Sequence, residues 1–318
     1  MGKSTGPGGL AVRTQNFKTL ELLDWKDEHY AGKALKMGAG VLARDAVAYA
    51  SDHGVDVLAG DCPSVGVAGG YIQGGGHSPL SSKYGLAADN TLEFEVVDGN
   101  GQRLIANRKQ NSDIYWAMSG GGGGTYGVAL SVTVKAHPGA PVTLCQLGVS
   151  PAGISHEDFI WAIAAFNKFI PTLVDAGCTT ISHFTREIFE VPLLTGPGMS
   201  YEKLAALIAP YLAQLTARNI SYSSAIYPFP NMNEYYKVVS APQAKGSAGD
   251  SHGASWFTPR SVFKDLSVGT EWVKTCLEMQ DTGMAMYHFG FDMTKPKDVY
   301  NAVFPGWREM LVQTSLMQ

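Results

Sequence analysis

Seven of the eighteen residues from Gly60 to His77 are glycine, and five more run without a break from Gly120 to Gly124. Glycine gives up more backbone freedom on folding than any other residue. A chain that concentrates it twice must recover that cost through close backbone contact, with itself or with a ligand. An isolated cluster is as readily a structural loop as a cofactor site; two in one region favour a large planar ligand. In the first, Cys62-Pro63-Ser64-Val65-Gly66-Val67-Ala68-Gly69-Gly70, branched residues alternate with glycines and successive backbone N–H groups are presented. Neither common nucleotide loop fits. A phosphate loop ends in Gly-Lys-Ser/Thr before a helix, whereas Gly76 is followed by His77-Ser78-Pro79, and Gly2-Lys3-Ser4 lacks the upstream glycine. No strand, GxGxxG and helix occur in order with an acidic residue about twenty positions on.

The length, 318 residues, predicts two domains or one large one. Lys and Arg number 24 against 28 Asp and Glu, a net charge of -4 with no basic block, which argues against nucleic acid or an anionic membrane surface. No apolar run is long enough for a membrane span, and the segment starting at Met1-Gly2-Lys3 lacks the apolar core of a signal peptide, so no address is read and localisation stays open. Cys62, Cys145, Cys178 and Cys276 are too scattered for a zinc site.

Short strands and helices alternate at first: Gly9–Thr14 and Lys36–Gly40 read as strands, and Val41–His53 as a helix ended by His53-Gly54. Two apolar runs, 92–97 and 103–106, flank Asp98-Gly99-Asn100-Gly101 and predict a β-hairpin. A short helix over Ser112–Met118 is stopped by the glycines, a strand resumes over Thr125–Val134, and His137-Pro138-Gly139-Ala140-Pro141 marks the boundary between domains at 1–138 and 139–318. The second part reads as α+β, with helices at 157–170 and 201–215 and strands at 179–184 and 284–293. Tyr227–Tyr236 and Lys245–Ser255 read as loops.

Four segments in register resemble one family: Gly60-x-Cys62-Pro63-Ser64-Val65-Gly66-x-x-Gly69-Gly70; Lys83-Tyr84-Gly85-Leu86-Ala87-Ala88-Asp89-Asn90; Val96-Val97-Asp98-Gly99-Asn100-Gly101; and Tyr115-Trp116-Ala117-Met118-Ser119 through Gly127-Val128. Together they are similar to the berberine-bridge-enzyme-like, FAD-linked oxidoreductases with a PCMH or vanillyl-alcohol-oxidase type of FAD-binding fold, with a fungal flavour. The resemblance implies an α+β fold: a PCMH-type FAD-binding domain, incomplete at its N-terminus, and a substrate domain on an antiparallel sheet covering the flavin. It also implies hydride transfer from a small, largely apolar substrate of secondary metabolism to FAD, with O₂ as acceptor.

Cys62 matches the position that carries a covalent link to the flavin, and Ser64, Val65, Gly66, Gly69, Gly70, Gly127 and Val128 match cofactor-binding positions. Phe304-Pro305-Gly306-Trp307-Arg308 is similar to the family's Asn-Pro-x-Trp-Arg segment. The family's histidine attachment loop would precede residue 2 and its last segment would follow residue 318, so the chain reads as the middle of the family fold. For a catalytic base, Tyr287 is the candidate on the strand Met284–Asp292, with His288 beside it as the weaker choice; His77 in the loop reads as a histidine satisfied by backbone groups before one that reaches flavin or substrate. A non-redox cyclase or isomerase, or an inactive relative, is the rival expectation.

Overall fold

The computed structural model describes residues 6–240, 253–281, 283, 285–296 and 298–317. Two antiparallel sheets dominate. The first is built from β1 (Leu20–Lys26), β2 (Ala31–Gly38), β4 (Thr91–Val97), β5 (Arg103–Asn107) and β6 (Val128–Lys135), in the order β1-β2-β6-β4-β5. A two-stranded ribbon pairs β3 (Val55–Asp56) with β7 (His137–Pro138). Helix α1 (Ala43–Asp52) buries Ala43, Ala46, Val47 and Ala50, the stripe expected from a 3.6-residue period, and Gly54 at φ +70° ends its turn. The expected hairpin is β4 and β5, with the Asp98 carboxylate accepting from the Asn100 and Gln102 amides. Two short helices, α2 (Ser81–Tyr84) and α3 (Ser112–Met118), complete this part.

The second sheet has seven strands: β8 (Val142–Val149), β9 (Thr179–Phe184), β10 (Phe189–Pro197), β11 (Tyr222–Phe229), β12 (Gly253–Pro259), β13 (Ala285–Gly290) and β14 (Met310–Met317). Their order is β11-β8-β10-β9-β13-β14-β12. Helices α4 (His156–Asp175), α5 (Tyr201–Ala217) and α7 (Leu266–Gln280) cover one face. Ser155, Ser200 and Asp265 cap their N-termini by accepting from Asp158, Lys203 and Ser267 amides. Phe159, Phe166, Phe189, Phe263 and Tyr211 fill the layer between. The opposite face looks toward the first sheet's loops.

Three sequence expectations change. Gly9–Thr14 is irregular, and Leu10 stands 92% exposed: an apolar run without a partner strand makes no ladder. Helices α4 and α5 run beyond the expected ends, α4 through Pro171, because Leu173 and Val174 are buried in the helix layer. The expected loop 227–236 holds instead the end of β11 and helix α6 (Met232–Ser240). The Pro and Asn content obscured a clear helical pattern: Met232, Tyr235, Tyr236 and Val239 are all buried, and the Asn231 side chain accepts from the Glu234 amide. Of the other expected loop, 245–252 lie outside the described residues and 253–255 open β12.

Candidate active site

A cavity of about 630 Å³ lies between the first glycine cluster and the uncovered face of the seven-stranded sheet. Its loop wall is Gly60, Asp61, Cys62, Val65, Tyr71, Gly74, Gly75, Gly76 and His77; its sheet wall is Leu193, Ile181, Tyr287, Phe289 and Trp307. Cys62, the tether candidate, and Tyr287, the base candidate, are thus brought to one cavity from positions 225 apart in sequence.

The loop wall is held from behind by α6, which sequence reasoning missed. Tyr236 donates to the Gly60 carbonyl at 2.7 Å, Tyr235 shares a 2.7 Å hydrogen bond with Thr195, and the Asn233 amide donates to Ser51 of α1. Tyr71 donates to the His77 carbonyl at 2.9 Å and closes the loop on itself. Cys62 is a free thiol whose Sγ lies 3.5 Å from the Ser64 hydroxyl; Cys145, Cys178 and Cys276 are buried in the second core. His77 lies against Phe289 and Phe291, with ring centroids 5.6 and 5.2 Å away, and loss of hydration pushes its pKa down to about 4. It faces the cavity as a neutral imidazole.

Strand alternation decides which β13 side chains face the cavity. Tyr287 points into it and stacks on His183 of β9 at 5.2 Å. His288 points the other way, sandwiched by Phe184 and Trp272 under the helices. It meets the Thr314 hydroxyl at 3.1 Å, and burial drives its pKa down to about 3. His288 therefore cannot reach a ligand in the cavity.

Of the residues assigned to the cofactor by resemblance, Cys62 and Val65 line the cavity. Ser64 is exposed beside Cys62. Gly66 is extended and bridges Leu42, while Gly69 and Gly70 lie in the wide helical turn Val67–Tyr71; a Cβ added at Gly69 or Gly70 would meet nothing within 4 Å, and one at Gly66 only the Ala39 carbonyl at 3.9 Å. Gly127 and Val128 lie elsewhere. A Cβ at Gly127 would come within 2.8 Å of the Val97 carbonyl, and Val128 pairs with Val97 at the start of β6.

A second motif outside the loop wall also shapes the site. Arg308 forms a bidentate pair with Asp89, at 2.8 and 2.6 Å, and Asn301 donates to the same carboxylate at 2.7 Å. This clamp joins the Phe304–Arg308 segment to the Lys83–Asn90 segment and sets Trp307 at the cavity, where it packs on Phe257 at 4.8 Å.

These residues fit a flavin. The sheet wall offers flat apolar surface opposite a loop wall rich in small residues, Gly60, Gly74, Gly75 and Gly76, and one free thiol, Cys62, lines the same cavity; the space above Gly66, Gly69 and Gly70 of the same segment is also clear of described atoms. A buried carboxylate oxygen, Asp61 Oδ1, has no hydrogen-bond partner and awaits one.

Residues 1–107 match the FAD binding domain family. The FAD-linked oxidoreductase sthB of Phaeosphaeria nodorum is 42% identical over 247 residues, covering 77% of this chain and 78% of its own. The FAD-linked oxidoreductase patO of Aspergillus clavatus is 39% identical over 97% of this chain but 54% of its own length. The crystal structure of the VAO-type flavoprotein MtVAO615 from Myceliophthora thermophila superimposes with a TM-score of 0.92 at 33% identity, over 99% of this chain and 58% of that one. The chain thus spans about half the length of several of the relatives it matches. Their names are those of oxidoreductases, which does not favour the non-redox rival. The chain belongs to the FAD-linked oxidoreductases of the vanillyl-alcohol-oxidase type, flavoproteins whose fold includes the berberine-bridge-enzyme-like proteins.

Proposed function

We propose that the chain holds the flavin ring and the substrate of a small-molecule oxidase of fungal secondary metabolism. The observation that carries this reading is the convergence of Cys62, from the glycine-rich loop, and Tyr287, from strand β13 of the seven-stranded sheet, on one cavity. Residues 1–138 serve as the FAD-binding domain and 139–318 as the substrate domain. When bound, FAD would supply the two-electron acceptor for this chemistry, with O₂ as the final oxidant.

The chain's own residues do the rest. Cys62 tethers the ring, and the backbone of Gly66, Gly69 and Gly70 lets it approach. Leu193, Ile181, Phe289 and Trp307 exclude water from the substrate face, which selects a largely apolar ligand. Tyr287 takes or shares the proton of the substrate's reacting hydroxyl, oriented by its stack on His183. Relatives that are fungal FAD-linked oxidoreductases support the oxidoreductase reading.

The test is the colour of the purified protein after acid precipitation. A yellow pellet is expected from the native sequence and a yellow supernatant from Cys62→Ala. A colourless protein after incubation with FAD, or colour that stays in the Cys62→Ala pellet, refutes the tether.

A further inference from the structure

Asp61 stands between Gly60 and the tether candidate Cys62, in the wall of the cavity. Its Oδ1 is sealed from solvent and has no hydrogen-bond partner, and among the described residues no cation pairs with the carboxylate. Three phenols, Tyr71, Tyr235 and Tyr236, have their pKa values raised first by their own burial and further by the nearby Asp61 charge. None of them serves it. Tyr71 is committed to the His77 carbonyl, Tyr235 to Thr195 and Tyr236 to the Gly60 carbonyl. The remaining titratable groups on the cavity wall are the Cys62 thiol, the His77 imidazole and, on the sheet side, the Tyr287 phenol.

Asp61 as a residue is half-buried at the cavity wall, but one oxygen of its carboxylate is sealed without a partner, which costs the fold free energy that a neutral residue of the same size would not. Burial accordingly raises the Asp61 pKa to about 6. A group so placed takes a proton as soon as negative charge appears beside it.

We propose that Asp61 takes up a proton when the adjacent flavin is reduced, cancelling the negative charge that hydride transfer leaves on the ring. The inference rests on the proposed placement of the flavin against Cys62. The balance is simple: the substrate gives up one hydride, two electrons and a proton, to the flavin, which gains one negative charge. Solvent supplies one further proton, which adds to the Asp61 carboxylate to form the neutral acid. Reoxidation by O₂ returns that proton. Ring and carboxylate together gain no net charge, so reduction is easier than it would be beside a permanently ionised group.

The experiment measures the midpoint potential of FAD in the loaded holoenzyme between pH 6 and 8. The native protein is expected to take up two protons per two electrons, and Asp61→Asn one, halving the slope of potential against pH. Asp61→Glu, which keeps a carboxylate, is expected to retain the slope of two. If Asp61→Asn fails to fold or to hold flavin, Asp61→Ser reads the same quantity.

A native slope of one proton, or equal slopes in the native and neutral variants, overturns the assignment. So does a slope that falls in His77→Gln and not in Asp61→Asn. Flavin content, measured first on the same samples, separates the two levels: a native protein without flavin refutes the parent reading, and a loaded one with the wrong slope refutes this inference alone. A second readout needs no flavin. Because a raised carboxylate pKa costs stability above the ordinary range, Asp61→Asn is expected to raise the melting temperature of the ligand-free chain at pH 8, and the gain is expected to vanish near pH 4.

Discussion

The two glycine-rich regions share a composition, but Gly66, Gly69 and Gly70 of the first and Gly120, Gly121, Gly123 and Gly127 of the second have opposite surroundings. At Gly120, Gly121, Gly123 and Gly127 the chain is packed against itself, while Gly122 and Gly124 hold positive φ with open space around them. A Cβ on Gly120 would lie 2.3 Å from the Val303 side chain and 2.9 Å from its backbone nitrogen, and one on Gly123 would reach Gly70 Cα at 3.0 Å. The Gly122 amide donates to the Gln73 carbonyl at 2.7 Å, so the second region is a buttress for the first. At Gly66, Gly69 and Gly70, by contrast, the missing side chains leave room that no part of the described chain fills. At Gly120, Gly121, Gly123 and Gly127 the absent Cβ serves packing; at Gly66, Gly69 and Gly70 packing does not require its absence, which suits the proposed ligand.

The largest way to break that comparison is to release the buttress. Val303 is held against Gly120 by the segment that Arg308 pins to Asp89, a carboxylate only 1% exposed. Arg308→Ala leaves that charge buried without its partner and is expected to cost about 3–5 kcal/mol, read by urea unfolding. A loss below about 1 kcal/mol would show that the clamp is incidental. Gly120→Ala is expected to cost about 3 kcal/mol, since it combines overpacking with a φ of +99° that side chains avoid. A neutral result would remove the distinction between the two regions.

The opposite outcome is expected in the open region. Gly66 already has extended dihedrals, φ -72° and ψ 123°, that suit valine. Gly66→Val is therefore expected to change unfolding stability by less than about 1 kcal/mol while lowering FAD affinity at least a hundredfold. Equilibrium dialysis of the refolded variant against FAD checks it. Unchanged affinity would make Gly66 a structural glycine like Gly127.

How much of this was legible in the sequence varies from residue to residue. Motifs that are continuous in sequence, such as Cys62 to Gly70 or the hairpin at Asp98–Gly101, declared themselves through composition. The role of Gly127 did not, because its reason is the Val97 carbonyl across a strand pair, a contact that spacing alone cannot announce. The sequence puts Tyr287 ahead of His288 without deciding which faces the cavity, because a strand's period of two says that neighbours point apart, not which way; the structure turns Tyr287 in. Helix α6 was legible in its i, i+3, i+4, i+7 pattern, but Pro228, Pro230, Asn231 and Asn233 masked it. Asp61 drew no attention because an acidic residue in a loop is ordinarily solvated, and only its buried, unpartnered oxygen marks it.

The smallest effect sharpens the contrast between cavity and core. His77 belongs to the open wall and His288 to the helix-covered sheet face, and burial depresses both, to about 4 and about 3. In the unfolded chain both return to the ordinary value near 6.5. Stability that depends on a neutral imidazole is complete above about 6.5 and is lost as pH falls toward the folded value, by up to tenfold in the folding equilibrium per pH unit for each histidine. His288→Phe, placed between Phe184 and Trp272, is expected to flatten the acid limb between pH 6 and 4 by nearly that factor. His77→Phe is expected to flatten it less, because water entering the cavity offers the His77 imidazolium solvation that the core denies His288. Chemical denaturation at half-unit pH steps decides it. Equal flattening by the two substitutions would mean that the cavity is as dry as the core, and a cavity that dry would hold its ligand by apolar contact alone.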